Sequence, residues 1–470
     1  MKKFILFFTF FSLNCFTLAQ EQMSVDYEVL NKTALNHLIN LINIDTAQPN
    51  PNEVLAQRYI YKNLINNKID WQIYRMEKPR ANLIAVLKTE TNKPLEPLIL
   101  ISHLDTAAIA DNWQTPPTQA LIKDGKVYGL GATDAKNYAA INLTILTWLK
   151  QNNIKLNRDI IFVFTADEES TGEKGLKFLF DKYPNKLKAA YALNEGGGLV
   201  KGENGRNLFF VESASKMYMD ILVSAIGEGG HSATASTDEN AIYKLSQALQ
   251  TIESHEQKPQ INEWTKNFFK QIYPLQDADA KTTIDMLLGP DEKISEQAAK
   301  IIMEDDFLKT QIVNTITPSI IRSGSETNTL ESKANAVLNC RLLPWASPDD
   351  FFAEINNLFK DDENIILSVI EKPELPFPTP LAQEDGLFKS IKNSVEKIMP
   401  DAITIQAMSP ASSESEVLRR HGIKTYGIGP LVNSGEGGPH QSNENIALED
   451  FYQQLKLTLA IVLDFVTQKE

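Results

Sequence analysis

The stretch RDIIFVFTADEE, residues 158–169, carries the decisive pattern. Ile160, Ile161, Phe162, Val163 and Phe164 form an unbroken apolar run that halts at Asp167, Glu168 and Glu169. Successive side chains of a strand point to opposite faces, so such a run requires both faces to be covered. That is the habit of strands in parallel sheets packed between helices. Neighbouring carboxylates repel one another, and burying a charge without a partner is costly. A core strand that stops on three acids therefore demands a chemical reason at its end.

The same texture recurs around it. NLIAVLK (82–88), PLILISHLD (97–105) and AAYALNEGG (189–197) read as strands, and AKNYAAINLTILTWLKQ (135–151) has apolar residues at helical spacing. Strands alternating with helices indicate a mainly parallel mixed sheet covered by helices. Near residue 213 the texture changes. KMYMDILVSAIGEGGHSA (216–233) alternates strictly, as a strand with one solvated face does. Strands at 318–323, 333–343 and 364–371 and helices at 240–253 and 347–359 complete an α+β set, with a polar helical insertion at about 255–316. EKPELPFPTP (371–380) carries four prolines and reads as a linker. The last segment returns to helix and strand and ends in the amphipathic ALEDFYQQLKLTLAIVLDFV. The expected architecture is α/β: a discontinuous domain of residues 20–213 and 376–470, interrupted by a smaller α+β domain, 214–375.

Composition narrows the class. Of 470 residues, 43% are hydrophobic and 23% charged, ordinary values for a globular protein. A formal net charge of -14 argues against nucleic acid or anionic lipid as the main partner. The start, MKKFILFFTFFSLNCFTLAQEQ, has two lysines, a short apolar run and the small-residue exit Thr17-Leu18-Ala19. It reads as a secretory signal peptide of residues 1–19, which predicts a periplasmic or secreted protein with no membrane partner after cleavage. A lipoprotein reading at Cys15 is the weaker alternative. Removal of Cys15 leaves Cys340 alone, in the alternating strand ANAVLNCRLL, where a packed core thiol is expected.

Three predicted strands finish on potential metal ligands: His103 and Asp105, Glu168 and Glu169, and Glu195. Ligands of parallel α/β sheets bind beyond the carboxyl ends of the strands, so these residues should meet at one edge. Asp134 joins them from the Gly-containing GLGATDAKN. One imidazole among several carboxylates calls for a divalent cation to compensate the charge. Nitrogen and oxygen donors without Cys suit catalytic zinc, and admit cobalt or manganese. The donors outnumber the needs of one tetrahedral ion, which suggests two ions sharing a carboxylate, roughly 3.5–4 Å apart.

At SHLDT, GLGATDAKN, TADEES, ALNEGG, GEGGHSA and GPHQSNENI, in this order, the chain resembles the co-catalytic dinuclear zinc peptidases that include glutamate carboxypeptidase, aminoacylase and carboxypeptidase S. The resemblance implies two zinc ions bridged by Asp134, one completed by His103 and Glu195, the other by Glu169 and His440. It makes Asp105 the residue that orients the His103 ring and Glu168 the general base. It makes the inserted domain a lid and dimerisation surface, with His231 as an oxyanion donor and Asn328 and Arg341 as binders of the substrate's carboxylate and main chain. PASSESEV stands where such relatives have Gly-Gly-Thr-Asp, placing Ser413 and Glu414 in the last two positions. The implied activity is hydrolysis of an amide next to a free carboxylate, in a small peptide or N-acyl amino acid, with a homodimer built through the lid. An aminopeptidase with the same metal core, and a non-catalytic peptide- or metal-binding protein on this scaffold, are the competing readings. His37, His255 and His421 read as packing or surface residues.

Overall fold

The computed structural model describes residues 25–201, 207–234, 236–373, 386–429 and 437–467. The signal-peptide reading and most of the proline-rich linker lie outside them. Among the described residues no helix is long and apolar enough to cross a membrane.

The strand Arg158–Thr165 lies inside a nine-stranded mixed sheet, and its alternation divides it between two cores. Ile160, Phe162 and Phe164 enter the larger core with the helices Tyr27–Ile42, Lys136–Gln151 and Leu448–Thr467. Ile161 and Val163 enter the opposite one, with Leu176–Lys182 and Ser415–Arg420. Each fully buried side chain of this kind contributes about 1.5–3 kcal/mol of apolar transfer, before the entropy of ordering it is subtracted. Arg158–Thr165, Leu95–His103, Tyr191–Asn194 and Lys424–Gly427 are neighbours in that order and mutually parallel. Antiparallel strands Asn82–Leu87 and Asp70–Tyr74 extend one side, and Asn207–Ser215 followed by Ala402–Ser409 the other. The mainly parallel mixed sheet covered by helices is therefore present as expected.

A single residue, Lys216, separates the strand Asn207–Ser215 from Met217–Ile226, the first strand of a second sheet. This sheet is antiparallel, ordered Thr315–Arg322, Lys333–Leu342, Met217–Ile226, Ile365–Glu371. The helices Ala241–Glu253 and Pro348–Asn357 share its core.

Helices from Glu263 to Thr310 occupy the polar insertion, and their place has a physical reason. Ala402–Ser409 is the last strand of the large sheet, and an uncovered sheet edge leaves backbone groups unpaired. Gln271 and Gln311 supply the missing partners. The Gln406 N–H donates to Gln271 Oε1 at 2.9 Å, and Gln311 Nε2 donates to the Met408 carbonyl at 2.9 Å. Trp264, Phe268 and Phe269 pack in the same core as Ile405, Ala407 and Met408. The insertion thus seals the edge of the sheet.

Cys340 is buried within the antiparallel sheet, and burial pushes its thiol up to about 12. The thiolate is the reactive form, so native protein at pH 8 should leave Cys340 unalkylated by iodoacetamide. Peptide mapping should find it modified only after unfolding; labelling in the native state would contradict its burial.

Candidate metal centre

Three parallel strands deliver the site. Leu95–His103 ends on its histidine, Arg158–Thr165 runs into the turn Ala166–Glu169, and Tyr191–Asn194 is followed by Glu195. Their parallel pairing brings all three carboxyl ends to one rim. His103 Nε2 lies 3.1 Å from Asp134 Oδ1 and 3.5 Å from Glu195 Oε1. His440 Nε2 lies 3.3 Å from the other Asp134 oxygen, Oδ2, and 2.9 Å from Glu169 Oε2. Two donor groups result, His103–Asp134–Glu195 and Asp134–Glu169–His440, each with its ligand atoms within 4.8 Å of one another. Asp134 belongs to both and presents a different oxygen to each.

The donor set fits a pair of divalent cations. It offers imidazole and carboxylate donors and no thiolate, as catalytic zinc, cobalt or manganese sites do. Glu169 Oε1 is buried and has no hydrogen-bond partner among the described residues, a state that a cation would relieve. Burial alone would depress the His103 imidazole, yet Glu195, Asp134 and Glu168 together hold it well above its ordinary value. Burial pushes the Glu168 carboxyl well up, reinforced by Glu195, Asp134 and Glu169 against the opposing pull of His103. Such crowding of acids is the condition that divalent charge compensates.

Glu168 stands beside the donors rather than among them. Its Oε2 is 4.0 Å from His103 Nε2, and its side chain is 15% exposed. Asp167, the first residue of the acidic triplet, turns away from the rim. It adopts φ 68 and accepts a charged contact from Arg80 at 3.0 Å. A non-glycine residue in the left-handed region costs free energy, which the surroundings must offset. Here a buried ion network does so. The Arg80 guanidinium meets Glu53 at 2.6 Å and Asp167, and reaches to within 3.9 Å of Asp105.

Asp105 acts differently from the expectation. His103 Nδ1 donates to the main-chain carbonyl of Asp105 at 3.0 Å, while the Asp105 carboxylate is 3.7 Å from the ring. That carboxylate instead accepts from the backbone N–H of Glu168 and of Glu169, both at 3.2 Å. It fixes the turn that presents the two acids.

Glu444 was not singled out by the sequence reading, although it lies within GPHQSNENI. It is almost fully buried and accepts from the N–H of Gly131, Thr133 and Asp134 and from the Thr133 hydroxyl, at 2.7–3.1 Å. It therefore joins the loop carrying Asp134 to the segment carrying His440. Glu414 is likewise buried, accepting from the Thr165 hydroxyl at 2.8 Å, and burial raises it to about 8. Truncation of Glu444 should loosen Asp134. Glu444→Ala is expected to weaken metal binding about 10–100-fold, the usual scale for residues that orient ligands. Competition with a chromophoric chelator measures this, and an unchanged affinity would remove the loop-holding role.

The remaining site residues lie on the second sheet and its ribbon. Gly230–His231 pairs with Thr329–Leu330, and the Ser232 N–H donates to the Asn328 carbonyl at 3.0 Å. His231 and Asn328 are thus brought together, both exposed. Among the described residues neither hydrogen-bonds to the metal-donor cluster. Arg341 sits opposite Tyr218, with its guanidinium 4.9 Å above that ring. Arg341 Nε donates to Asn339 Oδ1 and Nη1 to Ser412 Oγ, each at 3.1 Å. His37 is buried against Tyr59, His255 pairs with Glu354, and His421 stacks on Phe180, as packing and surface residues should.

Known proteins resemble this chain in sequence and fold. The family model for peptidase family M20/M25/M40 matches residues 99–464. The chain belongs to this peptidase family. As an M20-family member it is a metallohydrolase of peptide or amide bonds. Probable succinyl-diaminopimelate desuccinylase of Staphylococcus aureus is 25% identical over 445 residues, covering 93% of this chain and 98% of the relative. N-fatty-acyl-amino acid synthase/hydrolase PM20D1 of Mus musculus is 23% identical, covering 80% and 75%. In fold, the M20 family metallo-carboxypeptidase Sso-CP2 from Sulfolobus solfataricus matches with a TM-score of 0.69 at 19% identity, over 92% of this chain and 98% of that one. Human carnosine dipeptidase 1 matches at 0.70 and 15% identity, over 94% and 98%.

Proposed function

We propose that this M20-family enzyme is an exported, dinuclear zinc hydrolase that cleaves the amide bond next to a free carboxylate, in small peptides or N-acyl amino acids. The observation that carries the carboxylate specificity is Arg341. Its guanidinium is half-buried and held by a ring, an amide and a hydroxyl, and among the described residues it makes no ion pair with a carboxylate. A fixed guanidinium without a direct carboxylate partner suits a substrate carboxylate, which it can bind through two parallel hydrogen bonds. Two relatives bear names for hydrolases of acylated amines, which agrees with this reading.

His103 and Glu195 would hold one ion, Glu169 and His440 the other, and Asp134 both. When bound, the pair supplies the Lewis acidity that polarises the scissile carbonyl and makes water a nucleophile near neutral pH. Glu168 takes the proton from the attacking water and returns it to the departing amine. Asp105 keeps Glu168 aimed through the N–H it binds. His231 donates to the oxyanion once the lid approaches, and Asn328 and Arg341 hold the carboxylate and main chain of the leaving residue. The N-terminal nineteen residues direct export to the periplasm or beyond, and the lid supplies a homodimer surface.

Replacing the guanidinium tests the specificity. A hydrogen bond to a charged group is worth about 1.5–3 kcal/mol, so Arg341→Ala should raise KM roughly 10- to 100-fold for free-acid substrates. The C-terminally amidated counterparts should be poor substrates of both proteins. Equal turnover of free-acid and amidated dipeptides by the unaltered enzyme would reject the carboxylate reading.

A further inference from the structure

A second polar site lies beside the metal loops. The hairpin Leu121–Lys123 and Lys126–Tyr128 packs its second strand against Asn445–Ala447, which follows the segment bearing His440 and Glu444. Its two-residue turn, Asp124–Gly125, takes φ 50 and 73, both left-handed, as a tight hairpin requires. This turn sets Lys123 directly opposite Lys126. Like charges in that position destabilise a hairpin. Yet in a chain of net charge -14, neither lysine has an ion pair or a side-chain hydrogen bond among the described residues.

Both lysines line a groove of about 350 Å³, together with Thr115, Tyr128, Asn443 and Asn445. Asp124, between them in sequence, does not line it. Asn443 is fixed in place: its Oδ1 accepts from the Gln114 N–H at 2.7 Å, and its carbonyl accepts from Asn445 Nδ2 at 2.9 Å. The groove thus combines two ammonium groups without a carboxylate partner among the described residues and rigid amides, in a space sized for a small organic molecule.

We propose that this groove binds a small carboxylate-bearing molecule, separately from the metal centre. The paired lysines take the carboxylates, and the asparagine amides take the polar remainder. Such a carboxylate belongs either to the remote end of the enzyme's own substrate or to a free organic acid. The direct binding measurement stands whether or not Arg341 has the role assigned above.

The experiment is calorimetric titration of the metal-loaded protein with glutarate, with uncharged glutaramide as control. Glutarate should bind, glutaramide should not, and salt should weaken the binding. In the K123A/K126A double variant, whose changes fall on an exposed hairpin tip, the Kd should rise at least about tenfold. In Arg341→Ala it should stay the same. Kinetics then locates the source. A rise in KM confined to N-glutaryl over N-butyryl amino acids in the double variant assigns the groove to the substrate's far end. Unchanged KM with glutarate binding retained in the unaltered protein assigns it to a free acid. An undiminished affinity in the double variant, or binding lost in Arg341→Ala, overturns the site.

Discussion

Glu168→Gln is expected to keep both metal ions and to lose turnover by about 10²–10⁴-fold, the range over which a positioned acid–base group acts. The reason is geometric. Glu168 lies beside the cluster, 4.0 Å from His103 Nε2, while the donors themselves come from five other residues. The amide is nearly isosteric and leaves the N–H held by Asp105 undisturbed, so KM should move little. Metal content by atomic emission and single-turnover rates on one substrate measure the two halves of the claim. Loss of metal in Glu168→Gln would make Glu168 a ligand, and full turnover would remove it as the base.

Arg80→Ala should be the most destabilising single change among the residues behind the site. Glu53 is fully buried and Arg80 pairs with it at 2.6 Å, holding Asp167 at 3.0 Å as well. Removing the guanidinium strands buried carboxylates, which costs about 3–5 kcal/mol in comparable pairs. Urea denaturation at fixed metal concentration reads that loss as a lower midpoint. Because the same guanidinium steadies the turn at Asp167, kcat should fall too, although Arg80 never approaches substrate. Arg80→Lys keeps the charge but not the planar fork, and should recover only part of the stability. An unaltered midpoint in Arg80→Ala would show the ion network to be idle.

Three of the five donors were legible because each terminates an apolar run, whereas Asp134 was read from its Gly-containing loop and His440 came from the family resemblance. His103, Glu169 and Glu195 stand where strands of obvious hydrophobicity stop, and parallel pairing takes such ends to a single rim. Arg341 was named through the family resemblance alone, since the alternation of Lys333–Leu342 by itself marks only a partly exposed strand position. What lay hidden were the partners of long sequence separation. Nothing near Glu53 marks Arg80 as its counter-ion, and nothing near Thr133 points to Glu444. An isolated glutamate in a polar loop looks like a solvated charge until the fold closes over it. Gln271 and Gln311 were hidden for the same reason: amides on polar helices give no hint that they complete a sheet edge. The role of Asp105 was carried over from the family resemblance. It was expected to hold the His103 ring, and it does so through its main-chain carbonyl rather than its carboxylate.

The order of the donors along the chain carries a consequence for biosynthesis. His103 emerges early from the ribosome, whereas His440, and the Glu444 that clasps the Asp134 loop, arrive only just before the closing helix Leu448–Thr467. The donor group His103–Asp134–Glu195 is therefore complete in the chain well before the group that needs His440.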